Sequence, residues 1–190
     1  CVSLDADFYE GASEMLIPRE WMDLAERLAV SLRGQNRTAA TMGVDSAMGG
    51  DNTCWCICDK LGLLDLISTK TPDTSVIPDR TLALMQKWHI IPENVLFDYG
   101  GGGKPHVDTL RKRGFNVRAI MFGEPASPPL RRMMATIPQR QKFVETRYVF
   151  KNRRAEMYGM LRESLEPSWA TDGKTLVSHF ALPPELLNRL

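Results

Sequence analysis

The segment NVLFDYGGGGKPHVDTL, residues 94–110, decides how this chain folds. It begins as a strand over 94–98, apolar until it ends on Asp98, and then runs into four glycines, 100–103. A helix is predicted over about 105–113, ended by Gly114. Such a segment is either a nucleotide phosphate loop or a carboxylate held at a strand end with open space around it. A phosphate loop of the G-x-x-x-x-G-K type needs a Ser or Thr after the lysine, to place a hydroxyl on the metal. Here Lys104 is followed by Pro105. The contiguous glycines also miss the G-x-G-x-x-G spacing. What the segment presents is therefore the aspartate.

A second stretch repeats the arrangement. In MGVDSAMGGD, residues 42–51, Asp45 ends an apolar strand and precedes Gly49, Gly50 and Asp51. If the two strands lie side by side, the carboxylates of Asp45 and Asp98 converge at one edge of a sheet. Two unpaired carboxylates a few ångströms apart repel, and a bound divalent cation relieves that repulsion. Hard oxygen ligands of this kind suit Mg²⁺ or Mn²⁺, and a two-metal site of that type hydrolyses phosphodiesters. Gly49, Gly50, Gly100 and Gly101 would then leave clearance for a nucleic-acid backbone. The alternative is that each aspartate only caps its turn, a common use of Asp.

Working outward, residues 1–38 read as an entry segment. Pro18 stands near a helix start, with Trp21, Leu24, Ala25 and Leu28 on one face. Strands are expected near 40–46, 53–60 and 63–70, with a turn at DKLG between the last two. Then come a helix near 77–88, the strand and helix of the opening segment, and a strand at 116–122. After a proline-rich connector, a helix near 152–165 carries Met157, Tyr158, Leu161 and Leu165 on one stripe. The tail holds a turn at Asp172–Gly173 and a strand-like TLVSHF. Three meandering strands followed by alternating helices and strands imply an α/β fold, a mixed sheet with helices on both faces. Ribonuclease H-like folds have that order.

The 190 residues carry 43% hydrophobic and 25% charged side chains, the balance of a globular chain, with no apolar run long enough to span a membrane. A formal net charge of +1 conceals an asymmetry. Residues 1–30 hold seven acids against Arg19 and Arg27. Residues 131–154 hold eight bases against Glu145 alone. A polyanion would bind the second region, through Arg131, Arg132, Arg140, Lys142, Arg147 and Arg153, with Lys104 added from the glycine segment. A plain solvated basic face is the other reading.

Cys54, Cys56 and Cys58 alternate in TCWCICDK, which puts all three on one strand face. Single-residue spacing does not suit paired zinc thiolates, and no histidine is near in sequence. They are expected to be reduced residues of a buried strand face, binding no metal, in a cytoplasmic protein.

Several pieces together resemble the C-terminal nuclease domain of the large terminase subunit of tailed bacteriophages. They are LIPREW (16–21), MGVDSAMGGDNT (42–53), VLFDYGGGGKPHVDTLRKRG (95–114), VRAIMFG (117–123) and FKNRRAEMYGMLRESL (150–165). The resemblance implies a ribonuclease H-like endonuclease domain over 39–190. It would use divalent metals to cut concatemeric double-stranded DNA during packaging, in the host bacterial cytoplasm, for a virus or prophage. Asp45 and Asp98 match the first two metal ligands, and Asp51 a turn position that is frequently acidic. Implied partners are an ATPase domain, from which 1–38 would be the linker, the small terminase subunit and the portal. The family's third acid stands on a helix after a segment like LPPELLNRL, with which this sequence closes. The C-terminal end is thus expected to be incomplete and cleavage by this chain slow or absent. Asp172 reads as a turn residue. Glu156 is expected to form a structural ion pair with its arginine neighbours. Two other readings remain at this point: a DNA-gripping module that cannot cut, and another ribonuclease H-like nuclease of resolvase or transposase type.

Overall fold

Period-two alternation of apolar residues builds the centre of the molecule. A computed structural model describes residues 16–127 and 150–187. Five strands, β1 (Thr41–Asp45), β2 (Asn52–Asp59), β3 (Gly62–Lys70), β4 (Val95–Asp98) and β5 (Arg118–Ile120), form one sheet in the order β3-β2-β1-β4-β5. β1 runs antiparallel to β2 and parallel to β4, and β4 runs parallel to β5. The sheet is therefore mixed, as the element order implies.

Each face of the sheet buries its own apolar set. On one side Met42, Val44, Trp55, Ile57, Val95 and Phe97 meet Leu84 and Met85 of helix α2 (Ile77–Trp88) and Val107 and Leu110 of helix α3 (Lys104–Lys112). The fully buried Trp55 donates its indole N–H to Thr81 Oγ1 (3.0 Å), so its one polar atom is satisfied. A smaller cluster joins Leu63 and Leu66 to Ala25 of helix α1 (Arg19–Ser31), Leu165 of helix α4 (Arg153–Leu165), and Leu182 and Leu186 of the tail. Helix α1 is built into this cluster, with Ala25 wholly buried.

Three expectations are corrected. The cysteine face of β2 is half-buried, because Thr53, Trp55 and Ile57 take the deeply buried face while Cys56 and Cys58 border the smaller cluster. The three cysteines are free, with Cys56 and Cys58 sulfurs 3.7 Å apart. In α4 the expected stripe is only partly covered: Leu165 is buried, as is Gly159 beside the stripe, whereas Met157, Tyr158 and Leu161 are exposed. A Cβ on Gly159 would overlap the Phe150 ring, so this part of the helix packs through its smallest residue while Met157, Tyr158 and Leu161 stay exposed. The tail strand is short, with only Leu176–Val177 pairing with Ser168–Trp169 in a two-stranded ribbon. Among the described residues no helix is long and apolar enough to cross a membrane.

One ion pair locks the far end of β2. Arg37 reaches both carboxylate oxygens of Asp59 (2.8 and 2.6 Å), and the two side chains are only 11% and 8% exposed. Burial alone would raise the Asp59 pKa, but hydrogen bonds from Arg37 and Leu61 N–H outweigh it and hold it below the usual carboxylate value. Asp59→Asn should cost about 3 kcal/mol, because it leaves a buried guanidinium without its counter-charge. Since the folded pKa is depressed, this stabilisation is complete above the unfolded value of about 3.9 and is lost as pH falls through the folded one. Urea unfolding at pH 7 should show the loss, and at strongly acid pH wild type and variant should converge.

Candidate active site

The parallel pairing of β1 with β4 sets the site. Its register joins Met42 to Val95, Gly43 to Leu96 and Val44 to Phe97. Asp45 and Asp98 are the next residues on the two strands, so both stand at the same edge. Met42, Val44, Val95 and Phe97 all point into the larger core, so by alternation Asp45 and Asp98 share the opposite face. A Cβ placed on Gly101 would lie 2.7 Å from Asp98 Oδ2 and 3.9 Å from Asp45 Oδ1. Those two oxygens therefore flank one small space, no farther apart than the sum of these distances.

The electrostatics are those of an uncompensated pair. Packing around Asp45, and then the charge of Asp98, push the Asp45 pKa above its ordinary value. Asp98 does cap its turn, with Oδ1 accepting the Gly100 N–H at 3.0 Å. Among the described residues, Oδ2 accepts no hydrogen bond, and the Asp45 carboxylate has neither a hydrogen bond nor an ion pair. The capping and ligand readings of Asp98 thus apply to different oxygens of one carboxylate.

Local chemistry fixes each acid's support. After Asp98 the chain turns through Tyr99–Gly103, where Gly102 adopts φ 93°, a left-handed conformation that side chains disfavour. A Cβ on Gly103 would overlap the main-chain oxygen of Asp98. After Asp45, Ser46 is buried, and Ala47 N–H donates to Thr53 Oγ1 (3.2 Å), which lies 2.6 Å from Thr71 Oγ1. This threonine pair ties the β1–β2 connection to β2 and to the end of β3. Nothing in the sequence pattern singled it out.

The remaining candidates are dispersed. Asp51 is exposed in the β1–β2 turn, and among the described residues no group of three His, Cys, Asp or Glu is arranged to hold a metal ion. Gly50 faces open space, whereas a Cβ on Gly49 would press on the Pro72 carbonyl (3.3 Å). Lys104 donates to Asp108 (2.7 Å) and sits 5.5 Å from the Tyr99 ring. Arg153 is committed to Glu156 (2.7 Å) and to the Ser127 hydroxyl. The Ser127 N–H also donates to Glu156 (3.0 Å), and that bond leads the interactions that lower the Glu156 pKa. Asp172 accepts the N–H groups of Lys174 and Thr175 in its turn. Arg131, Arg132, Arg140, Lys142 and Arg147 lie outside the described residues.

Two carboxylates with free oxygens, one of raised pKa, bordering a space that a methyl group would fill, match the donor set of a divalent cation. A cavity of about 270 Å³ opens here, lined by Asp98, Gly100, Gly101, Met121, Phe122 and Arg154.

No protein-family model and no curated protein matches this chain. Solved structures do. The nuclease domain of the large terminase subunit gp2 of bacterial virus Sf6 aligns with 92% of this chain and 78% of its own, with TM-score 0.60 and 18% identity. A single-substitution variant of that domain with calcium aligns over the same shares (TM-score 0.58, 19% identity), and the variant with manganese likewise (0.57, 18%). The chain has the ribonuclease H-like α/β fold of those domains, and the resemblance seen in its motifs holds for the fold.

Proposed function

We propose that this chain is the nuclease domain of a DNA-packaging terminase large subunit, hydrolysing phosphodiester bonds of concatemeric double-stranded DNA. The observation that carries the reading is the convergence of Asp45 and Asp98, with no counter-charge among the described residues, at one edge of the central parallel pair. Asp45 and Asp98 would hold Mg²⁺ or Mn²⁺. A divalent ion held there would supply Lewis-acid polarisation of the phosphodiester and a water of lowered pKa, the chemistry of a two-metal nuclease site. Asp51, the acid that follows Asp45 in the sequence, is the first candidate for further ligation. Asp98 Oδ1 keeps the turn closed, and Gly101 keeps the space between the carboxylates free of side-chain atoms.

The basic residues Arg131, Arg132, Arg140, Lys142 and Arg147 would grip phosphates without reading bases, since Lys and Arg contacts of that kind carry no sequence information. Family partners follow from the same reading: the ATPase domain, the small terminase subunit and the portal, in the cytoplasm of an infected or lysogenic bacterium.

Nicking of supercoiled plasmid in Mn²⁺, against an EDTA control, tests the proposal. Metal-dependent nicking, even slow, is the expected result. DNA binding without cutting in any divalent metal would favour the gripping module instead. Undiminished cutting in EDTA would overturn the mechanism.

A further inference from the structure

The arginine pair that opens α4 divides its labour. Both arginines were expected to neutralise Glu156, and only Arg153 does so. Arg154 is exposed and is not paired with Glu156; its guanidinium carbon lies 5.4 Å from the centre of the Phe122 ring, and it lines the same cavity as Asp98, Gly100 and Gly101. Its position is set by the backbone: Arg154 N–H donates to Phe122 O (3.1 Å) and Arg153 N–H to Glu124 O (2.8 Å), pinning the start of α4 to the chain leaving β5. Among the described residues no carboxylate pairs with Arg154, and no acceptor takes its side-chain donors.

We infer that Arg154 binds a backbone phosphate of the nucleic-acid strand that reaches Asp45 and Asp98, resting on the nuclease reading above. Two carboxylates repel a phosphodiester, so a strand approaching them gains from a positive group lining the same cavity. An arginine suits this better than a lysine. Its planar fork gives two parallel N–H···O bonds to a phosphate, and stacking on Phe122 holds that plane before the ligand arrives. Among the described residues the guanidinium is not spent on an internal ion pair, so no such contact there has to be broken for binding. The side chain serves the substrate, independently of whether a cation is bound.

The test is fluorescence anisotropy of a labelled DNA duplex in EDTA across a salt series, for wild type, Arg154→Met and Arg154→Lys. Methionine keeps an apolar stem on Phe122 and removes the charge. It should weaken binding about tenfold at low salt, as expected for losing a charge-assisted bond, and flatten the salt dependence by about one unit of slope. Lysine should restore the slope, since it keeps the charge, but not the full affinity. Should the methionine protein fail to fold, the lysine protein alone decides, because equal affinity to wild type would exclude a bidentate contact. Wild-type affinity and slope in Arg154→Met would overturn this inference while leaving the nuclease reading intact. A wild-type chain that neither binds nor nicks DNA would remove both.

Discussion

Asp45→Asn should reduce the slow metal-dependent nicking of this chain to the level of the EDTA control, while leaving the protein folded and no less stable. The first effect follows because, in the proposed mechanism, several kcal/mol of transition-state stabilisation would rest on ions held by the two carboxylates. The second runs against the usual cost of altering a polar site. Packing around Asp45 and the charge of Asp98 raise the Asp45 pKa, so the folded state binds that proton more tightly than the unfolded chain does. A raised carboxylate pKa lowers stability as pH climbs from the unfolded value, about 3.9, through the folded one, and the penalty is complete above it. Asparagine removes the penalty. Without metal, the variant should melt with wild type near pH 3 and slightly above it at pH 7. Added Mn²⁺ should reverse that order by stabilising only the wild type. A variant that nicks at the wild-type rate, or melts well below wild type at pH 7 without metal, would show that Asp45 has another role.

Alanine placed along the glycine turn should produce three different outcomes at neighbouring positions. At Gly100 the new Cβ would sit 3.6 Å from Asp98 Oδ1, ordinary contact distance, and the protein should behave nearly as wild type. At Gly101 it would lie 2.7 Å from Asp98 Oδ2, so the carboxylate must turn aside. That variant should fold, bind Mn²⁺ weakly and cut poorly. At Gly103 it would overlap the main-chain oxygen of Asp98, with Ser46 Oγ a further 3.3 Å contact, and backbone cannot rotate away as a side chain does. About 3 kcal/mol of stability or more should be lost, at the upper end of overpacking costs. Thermal melts, Mn²⁺ titration and nicking of the three proteins separate these cases. Equal behaviour at all three positions would mean that the turn rearranges freely and that clearance around the acids is not its purpose.

The strands and helices were legible because their patterns are local. The alternation in β1, β2 and β4 and the glycine after α3 lie within a few residues of the structure they specify, so the order of elements and the mixed sheet could be read directly. Burial was less legible. Which face of β2 sinks deepest, and which side of α4 is covered, depends on the neighbour that arrives. Phe150 against Gly159 could not be inferred from an apolar stripe on the helix. The threonine pair behind Ser46 and the cavity that Asp98 lines likewise join residues from separate strands and connections.

By itself the sequence determined that two aspartates end apolar strands, that glycines follow each, and that a basic region stands later in the chain. These are consequences of residue type and spacing along one segment. Only the tertiary structure decided that β1 and β4 pair directly and in parallel, that their aspartates share a face, and that Arg154 parts from Arg153 to stand at the cavity wall. The physical reason is range. Periodicity is written into each segment by its own backbone geometry, whereas the meeting of charges far apart in sequence is settled by which surfaces bury best against each other.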